Sequence, residues 1–443
     1  MMVSMTIPLW QLTGAQLQQR LEDGACTRVD IVAAYDERIA RCESAVQAWS
    51  WVDVAQAKAQ AAAADAAIRQ SGQPSGALDG FMVGIKDIID TGDMPTAYGA
   101  ALYAGHRPAT DASLVARLKQ AGAVILGKTV TTEFAFAAPG PTRNPHDVRH
   151  TPGGSSSGSA AAVAAGMATA ALSSQTGGST IRPAAFCGVV GFKPTHGVID
   201  SQGMKPLALS SDTVGIHART VADAAQLFGA LTSAPTRHAA VRQPASIAWL
   251  PGPHAATVSD ASTAMLDRLR QVLQADGIAV SMPDIPPEMV TRLGEENRLI
   301  MAAEASRSLA WEYQEHRAVL APQTVALIER GLAVSADRYA EAIAYIEQSR
   351  GAFDHAMRGF DALLTFAAAG AAPLASAGLG DSLFNRPWSA LGTPCLALPS
   401  GSGQGLPLAV QLVGRCGRDW ELLAMGGYIE ALIGHVPAWP SLG

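Results

Sequence analysis

Charge is scarce in this chain of 443 residues: Asp, Glu, Lys and Arg make up 16% of it, against 48% hydrophobic residues. So apolar a composition excludes extended disorder and supplies ample material for a buried core. Basic runs are missing too. With 32 basic against 38 acidic residues the formal charge is −6, which argues against a general affinity for nucleic acid or anionic membrane. The five cysteines (Cys26, Cys42, Cys187, Cys395, Cys416) are scattered, odd in number and without a CxxC pair. That pattern favours neither a disulfide framework nor a zinc site, and fits a reducing compartment. Long hydrophobic runs are also lacking; Ser159–Leu172 is apolar but too short and too small-residued to span a bilayer. The opening MMVSMTIPLWQLTG has neither the basic nor the apolar region of a secretory signal, so the expectation is a cytoplasmic protein. No internal repeat or low-complexity linker divides the chain, and one compact domain is expected.

What is present reads as an α/β protein. Apolar spacing of three and four predicts helices over Leu12–Asp23 and Arg28–Arg41, with Thr27 as N-cap and Asp30 three residues on. Ala55–Arg69 reads as a third helix, ending before the loop Ser71–Gly76. From about residue 80, short apolar runs (Phe81–Ile85, Ala123–Leu126, Ala168–Leu172) alternate with helical segments such as Ala112–Gln120. That alternation predicts a large, mostly buried β-sheet covered by helices on both faces. The expected organisation is N-terminal helices over 1–70, a core over 80–240, a variable helical cap or insertion over 285–357, and the rest of the sheet over 358–443. Long helices are expected around Glu295–Glu312 and Asp337–Met357, strands at Asp361–Phe366 and Leu406–Val413, and a closing helix at Asp419–Leu432.

Three segments combine Gly, Ser and Lys in ways that packing does not require. In Gly84-Ile85-Lys86-Asp87, a lysine interrupts an apolar strand. If buried, its pKa falls by desolvation toward the range a base needs; the plainer reading is a surface lysine beside Asp87 and Asp90. Gly153-Gly154-Ser155-Ser156-Ser157-Gly158-Ser159 leads into an Ala-rich helix. No lysine follows in the spacing of a phosphate loop, and the polar lead-in does not suit a nucleophile elbow centred on Ser156. A capping turn or an active-site loop of another type remain. Ser173-Ser174-Gln175-Thr176-Gly177-Gly178-Ser179, continuing to Ala185, follows the apolar run Ala168–Leu172, and paired glycines before a serine let backbone N–H groups converge as an oxyanion hole does. An incidental serine in a tight turn is the alternative.

Together the segments resemble the amidase signature family over most of the chain. Ser179 lies 24 residues beyond Ser155, with Gly84-Ile85-Lys86-Asp87 upstream and Cys187-Gly188-Val189-Val190-Gly191-Phe192-Lys193-Pro194-Thr195 downstream, as in that family. Asp212-Thr213-Val214-Gly215 and Leu406–Gly414 fit as well. The resemblance implies a large mixed sheet, with Ser179 as nucleophile, Lys86 as base, and Ser155 as a bridging serine preceded by a cis peptide. It also implies an oxyanion hole formed by Thr176, Gly177, Gly178 and Ser179. No metal and no cofactor are implied; His146 and His150 sit four apart with no third ligand near in sequence and read as loop histidines.

Two positions depart from the broad family: Gln175 stands where an acidic residue is usual, and the arginine falls three after the nucleophile, at Arg182. Both features, with Asn385-Arg386-Pro387-Trp388, look like the malonamidase-type subgroup, in which the matching arginine grips a substrate carboxylate. Arg182 is therefore the candidate substrate-binding residue; the alternative is an arginine packed at a helix start against a structural carboxylate. The expected function is hydrolysis of a small-molecule amide through an acyl-enzyme, with carbamate or ester hydrolysis as an alternative. A further alternative is the amidase-fold subunit of a tRNA-dependent amidotransferase, although the stretch His196–Gly203 lacks the Tyr-Gly element usual there. The expected partner is the small acyl substrate, with no nucleic acid and no membrane; a homodimer is left open. Arylamides are expected to be better substrates than long-chain acyl amides. Specificity is expected from Thr131–Pro141, the 285–357 helices and the loop at Leu383–Trp388.

Overall fold

Short apolar runs become the middle of one sheet because both of its faces are covered, so neither set of alternating side chains meets water. In the computed structural model, which describes residues 7–71, 76–232, 241–434, 439–440 and 442, eleven strands form that sheet. They are β1 (Trp49–Val52), β2 (Met82–Lys86), β3 (Val124–Thr129), β4 (Ala170–Gln175), β5 (Val190–Lys193), β6 (Thr213–Ala218), β7 (Ser246–Trp249), β8 (Ala279–Ser281), β9 (Ala362–Phe366), β10 (Cys395–Gly403) and β11 (Leu406–Val413). Their spatial order is β1-β3-β2-β4-β6-β5-β10-β11-β9-β7-β8. β2 runs parallel to both β3 and β4, β7 runs parallel to β8 and β9, and the remaining pairs are antiparallel, so the sheet is mixed.

The alternation is visible residue by residue. Val83, Ile85, Ile125, Ala170 and Leu172 enter one buried cluster, and Met82, Val124, Leu126 and Ala171 enter the other. Helices Val221–Thr232, Asp260–Ala275 and Asp419–Leu432 line the first cluster. Helices Arg28–Val46, Ser157–Ala164 and Ile181–Cys187 line the second. Helix starts follow local chemistry. Thr27 and Asp30 form a reciprocal capping box, and so do Thr13 and Gln16.

Boundaries differ from the sequence reading where tertiary packing decides them. The first predicted helix begins at Gly14 rather than Leu12, because Thr13 takes the cap. The long helix expected over Glu295–Glu312 is two: Pro287–Ser308, whose proline sits in the first turn, and Ala310–His316. They break at the buried Leu309, with φ −111° and ψ 22°. Residues 72–75 of the expected Ser71–Gly76 loop lie outside the described residues. Helix Pro287–Ser308 packs on Pro322–Leu332, Ala336–Ala356 and the short helix Arg386–Leu391. This last helix replaces half of the loop expected at Leu383–Trp388, and it carries the outer helices onto the site described next.

Close packing also fixes the helix after the Gly/Ser segment. A Cβ on Gly158 would stand 2.2 Å from the Ala48 carbonyl oxygen and 2.3 Å from the Val130 nitrogen. The first turn of Ser157–Ala164 thus lies against backbone that has no room to yield.

Candidate active site

β2 and β4 are parallel neighbours, with Ile85 opposite Leu172, so their C-terminal ends open on the same side. Lys86 ends β2 and is completely buried. Its Nζ lies 2.7 Å from Ser155 Oγ, 2.7 Å from Ser174 Oγ and 3.5 Å from the Ser174 carbonyl oxygen. Burial pushes its pKa down from 10.5 to about 7, and the negative charge of Asp212 opposes the fall. The surface reading of this lysine is overturned. Asp87 turns instead to Lys128, 3.3 Å away, and Asp90 accepts a hydrogen bond from the Tyr98 hydroxyl. A neutral lysine amine has two N–H donors and one lone pair. Ser174 offers acceptors for the donors, which leaves the lone pair for the Ser155 hydroxyl.

Ser155 follows a cis peptide bond from Gly154. Its carbonyl accepts from Thr132 N at 3.3 Å. The next residue ties the loop to β4: Ser156 Oγ donates to the Ser174 carbonyl at 3.1 Å and accepts from Ser174 N at 3.3 Å. Ser156 is thus the residue preceding a helix, bound to the neighbouring strand, and no elbow nucleophile.

The loop after β4 carries Ser179, which is partly exposed while residues 170–178 are all buried. Its hydroxyl makes no protein hydrogen bond among the described residues, and the N–H groups of Gly177, Gly178 and Ser179 have no protein acceptor there either. The carbonyl side of the loop is held instead. Ser389 Oγ donates to Gly177 O at 2.8 Å, and Asn297 Nδ2 donates to Thr176 O at 3.3 Å. Thr176 Oγ1 donates to Asp212 Oδ1 at 2.6 Å, while Asp212 Oδ2 accepts from the Leu207 and Ala208 N–H groups. The loop is thus held by its carbonyls, while the N–H groups of Gly177, Gly178 and Ser179 are left without protein acceptors among the described residues. Gly178 has to be glycine for space: a Cβ there would lie 2.5 Å from Asn385 Oδ1 and 2.6 Å from Ser382 Cβ.

Gln175 occupies the position expected to be acidic, and its carbonyl does what a carboxylate would. Gln175 Oε1 accepts from Thr180 N at 2.9 Å and from Ile181 N at 3.0 Å, at the start of helix Ile181–Cys187. Its amide donates to Ser389 Oγ at 3.0 Å, a bond a carboxylate cannot make as donor. Below the loop, buried His217 is 2.8 Å from the Thr180 carbonyl through Nε2.

Arg182 packs in the first turn of helix Ile181–Cys187, as the second sequence reading has it, but against main-chain carbonyls rather than a carboxylate. Its guanidinium donates to two main-chain carbonyls, Gly380 O at 3.0 Å and Gly154 O, with no carboxylate hydrogen-bonded to it among the described residues. Burial and the neighbouring cation of Arg386 push its pKa down to about 10. Two arms of the fork are thus spent on the backbone beside Ser155, and only the buried Nε is unpaired. The loop histidines are likewise occupied by backbone: His146 Nε2 lies 2.9 Å from Cys187 O, and His150 Nδ1 lies 2.7 Å from Ala372 O.

Sequence reasoning missed Ser174, Asp212 as a charge acting on Lys86, Asn297 and Ser389. Each is polar and turned onto the three segments; Ser174, Asn297 and Ser389 are buried and Asp212 partly so, and only Ser174 and Asp212 fall in stretches that the sequence singles out.

The Amidase family profile matches residues 30–423 of this chain. A glutamyl-tRNA(Gln) amidotransferase chain of Anaeromyxobacter dehalogenans (strain 2CP-C), the A component of that enzyme, is 33% identical over 473 residues, covering 94% of this chain and 95% of that protein. Its counterpart in Roseiflexus castenholzii (strain DSM 13941 / HLO8) is 45% identical over 233 residues, a match that spans 51% of this chain and 47%, about half, of that protein. Among solved structures, the peptide amidase of Stenotrophomonas maltophilia superposes with a TM-score of 0.86 at 28% identity, over 98% of this chain and 99% of that one. A buried lysine on a serine hydroxyl, a glycine-lined serine loop with free N–H groups, and this match over most of the length lead to one assignment: the chain belongs to the amidase signature family.

Proposed function

We propose that the chain is a hydrolase of small-molecule amides in which Ser179 is the nucleophile, Ser155 the proton relay and Lys86 the base. One observation carries the reading: the Lys86 amine, wholly out of water and lowered to a pKa of about 7, lies 2.7 Å from the Ser155 hydroxyl. Serine alone is a weak nucleophile and needs such a base. Ser179 Oγ attacks the carbonyl carbon as its proton passes to Ser155 Oγ, whose own proton passes to Lys86 Nζ. The oxyanion falls among the N–H groups of Thr176, Gly177, Gly178 and Ser179, where a well-placed donor is worth about 3–4 kcal/mol. Collapse of the tetrahedral adduct breaks the carbon–nitrogen bond, and the proton returns from Lys86 through Ser155 to the leaving amine. Water then attacks the acyl-Ser179 ester, its proton passing through Ser155 to Lys86 and returning the same way to Ser179 Oγ as the carbon–oxygen bond breaks and the carboxylic acid leaves. Arg182 positions the Gly154 carbonyl in this scheme and does not touch substrate.

Carbamates and esters pass through the same acyl-enzyme, so the chemistry alone admits them. The relatives named as amidotransferase subunits favour a second reading, in which the chain works only with partner proteins. One experiment separates these readings. The purified chain is offered a fluorophosphonate probe and a panel of small acid monoamides, anilides, carbamates and esters. The expectation is labelling at Ser179 and turnover by the chain alone, with both lost in Ser179→Ala and turnover lost in Lys86→Ala while the proteins stay folded. Labelling without turnover of any panel member until a co-purifying partner is added would favour the amidotransferase reading.

A further inference from the structure

Asp212 stands immediately before β6, whose Thr213 pairs with Gln175 of β4. Carried one step further, that antiparallel register sets Asp212 beside Thr176, where the oxyanion loop begins. Fixed donors hold its carboxylate. Oδ1 accepts from Thr176 Oγ1 at 2.6 Å, and Oδ2 accepts from the Leu207 and Ala208 N–H groups at 2.8 and 2.9 Å. The turn that supplies these two N–H groups is itself pinned by the outer helices. Ser210 N donates to Glu304 Oε2 at 3.0 Å, and Lys205 pairs with Glu312.

β4 lies between β2, which ends in Lys86, and β6, which Asp212 precedes. Ser174 Oγ accepts from Lys86 Nζ, and Thr176 Oγ1 donates to Asp212, so the two bonds are anchored at most about 7 Å apart along the chain. The negative charge of Asp212 acts on Lys86, yet the hydrogen bonds of that amine go to Ser155 and Ser174. That separation matters. A carboxylate bonded directly to the amine would keep it protonated and useless as a base. Held off by Thr176 and the turn, Asp212 leaves the resting amine neutral and favours the cation as it forms. A dry ammonium without a counter-charge is costly. Two other titratable groups face the pair: Glu304 acts on Asp212, and buried His217 of β6 is pushed down to about 4 and stays neutral. Burial raises Asp212 to about 6 against its three hydrogen bonds, so it is ionised where Lys86 has lost its proton.

We propose that Asp212 is a positioning residue of the Ser179 reaction: through Thr176 it fixes the oxyanion loop, and its charge favours the ammonium formed when Lys86 takes the proton relayed by Ser155. The inference rests on the hydrolase reading. It adds the group that answers the new cation, as the loop N–H groups answer the oxyanion.

The test follows the rate at which a fluorophosphonate labels Ser179 of the full chain between about pH 5 and pH 9, which requires no knowledge of the substrate. In wild type the rate should rise with pH to a plateau, with its half-point near 7. Asp212→Asn is expected to lower the plateau about tenfold or more. It should also move the half-point down by about half a unit or more, because an amine without a neighbouring negative charge gives up its proton more readily. Thr176→Val breaks only the bond to the loop, so the plateau should fall while the half-point stays. A half-point in Asp212→Asn at or above that of wild type, or a plateau within about twofold of it, overturns the proposal. If Asp212→Asn does not fold, Asp212→Glu gives the reading, since it keeps the charge and alters the hold on Thr176. A lowered plateau with the wild-type half-point is then expected, and a half-point displaced by about half a unit overturns the proposal. Wild-type protein that never labels ends the hydrolase reading and this inference with it. Labelling that Asp212→Asn leaves unchanged in rate and half-point sinks the role of Asp212 alone.

Discussion

A lysine amine without water is an expensive residue, and Lys86 makes the expense measurable. In the unfolded chain its pKa is the ordinary 10.5; in the folded chain it is about 7. Between those values the unfolded state holds a proton that the folded state lacks, so stability is lowest below pH 7 and rises as pH climbs toward 10.5. Lys86→Met deletes the penalty along with the proposed base. We expect it to abolish turnover yet to stabilise the fold at pH 7 by on the order of 3 kcal/mol, after allowing for the lost hydrogen bonds. That advantage should shrink toward pH 10. Thermal midpoints across pH check this, and a midpoint below wild type at pH 7 would contradict it. Lys86, Ser155 and Ser179 were legible in the sequence because each interrupts a pattern, either an apolar strand or a glycine turn. Ser174 and Ser389 were not. A serine at either position breaks no periodicity, and the partners of these two lie 88 and 212 residues away along the chain.

Helix Ser157–Ala164 illustrates the scale above. Its Ala-rich, apolar composition predicted a helix, but the reason for Gly158 within it appears only once Ala48 and Val130 lie across its first turn. Gly158→Ala should therefore cost roughly 2–3 kcal/mol or more, as overpacking against rigid backbone does. Gly351, inside helix Ala336–Ala356 with nothing within 4 Å of its would-be Cβ, is the internal control. Gly351→Ala should stabilise by about 0.5–1 kcal/mol. Urea midpoints of the two variants are expected to move in opposite directions; a shift of the same sign in both would refute the packing argument. Element edges were least legible where neighbours set them. Leu406–Val413 and Asp419–Leu432 match their predicted limits because turn residues flank them, whereas the break at Leu309 answers to burial, which no local signal announces.

For the whole molecule, strand order was the least legible feature. β2 pairs with β3 and β4 within its own stretch of sequence, but β5 lies between β6 and β10, a neighbour from the far end of the chain. Such pairings depend on which faces fit, and hydrophobic spacing is silent about them. Charge distribution is also a property of the whole. The chain carries −6 overall, yet Arg182, Arg298 and Arg330 all lie near enough to Arg386 for their charges to interact with it, and Arg386 packs against Gly177 of the serine loop. A local positive field in a negative protein should draw in anionic substrates, and salt screens it. Raising ionic strength from about 0.02 to 0.3 M, which shortens the screening length severalfold, should lower kcat/KM for an amide that carries a carboxylate and leave its uncharged counterpart unaffected. Equal salt response for both would argue against steering.

Gln175 and Gly177 meet Ser389 across more than two hundred residues of sequence. The consequence concerns synthesis. A ribosome halted before the helix at Arg386–Leu391 releases a chain that already has Lys86, Ser155 and Ser179 but lacks the brace behind the serine loop. Such a fragment should be chemically idle, so cutting power should appear only once synthesis has passed Leu391.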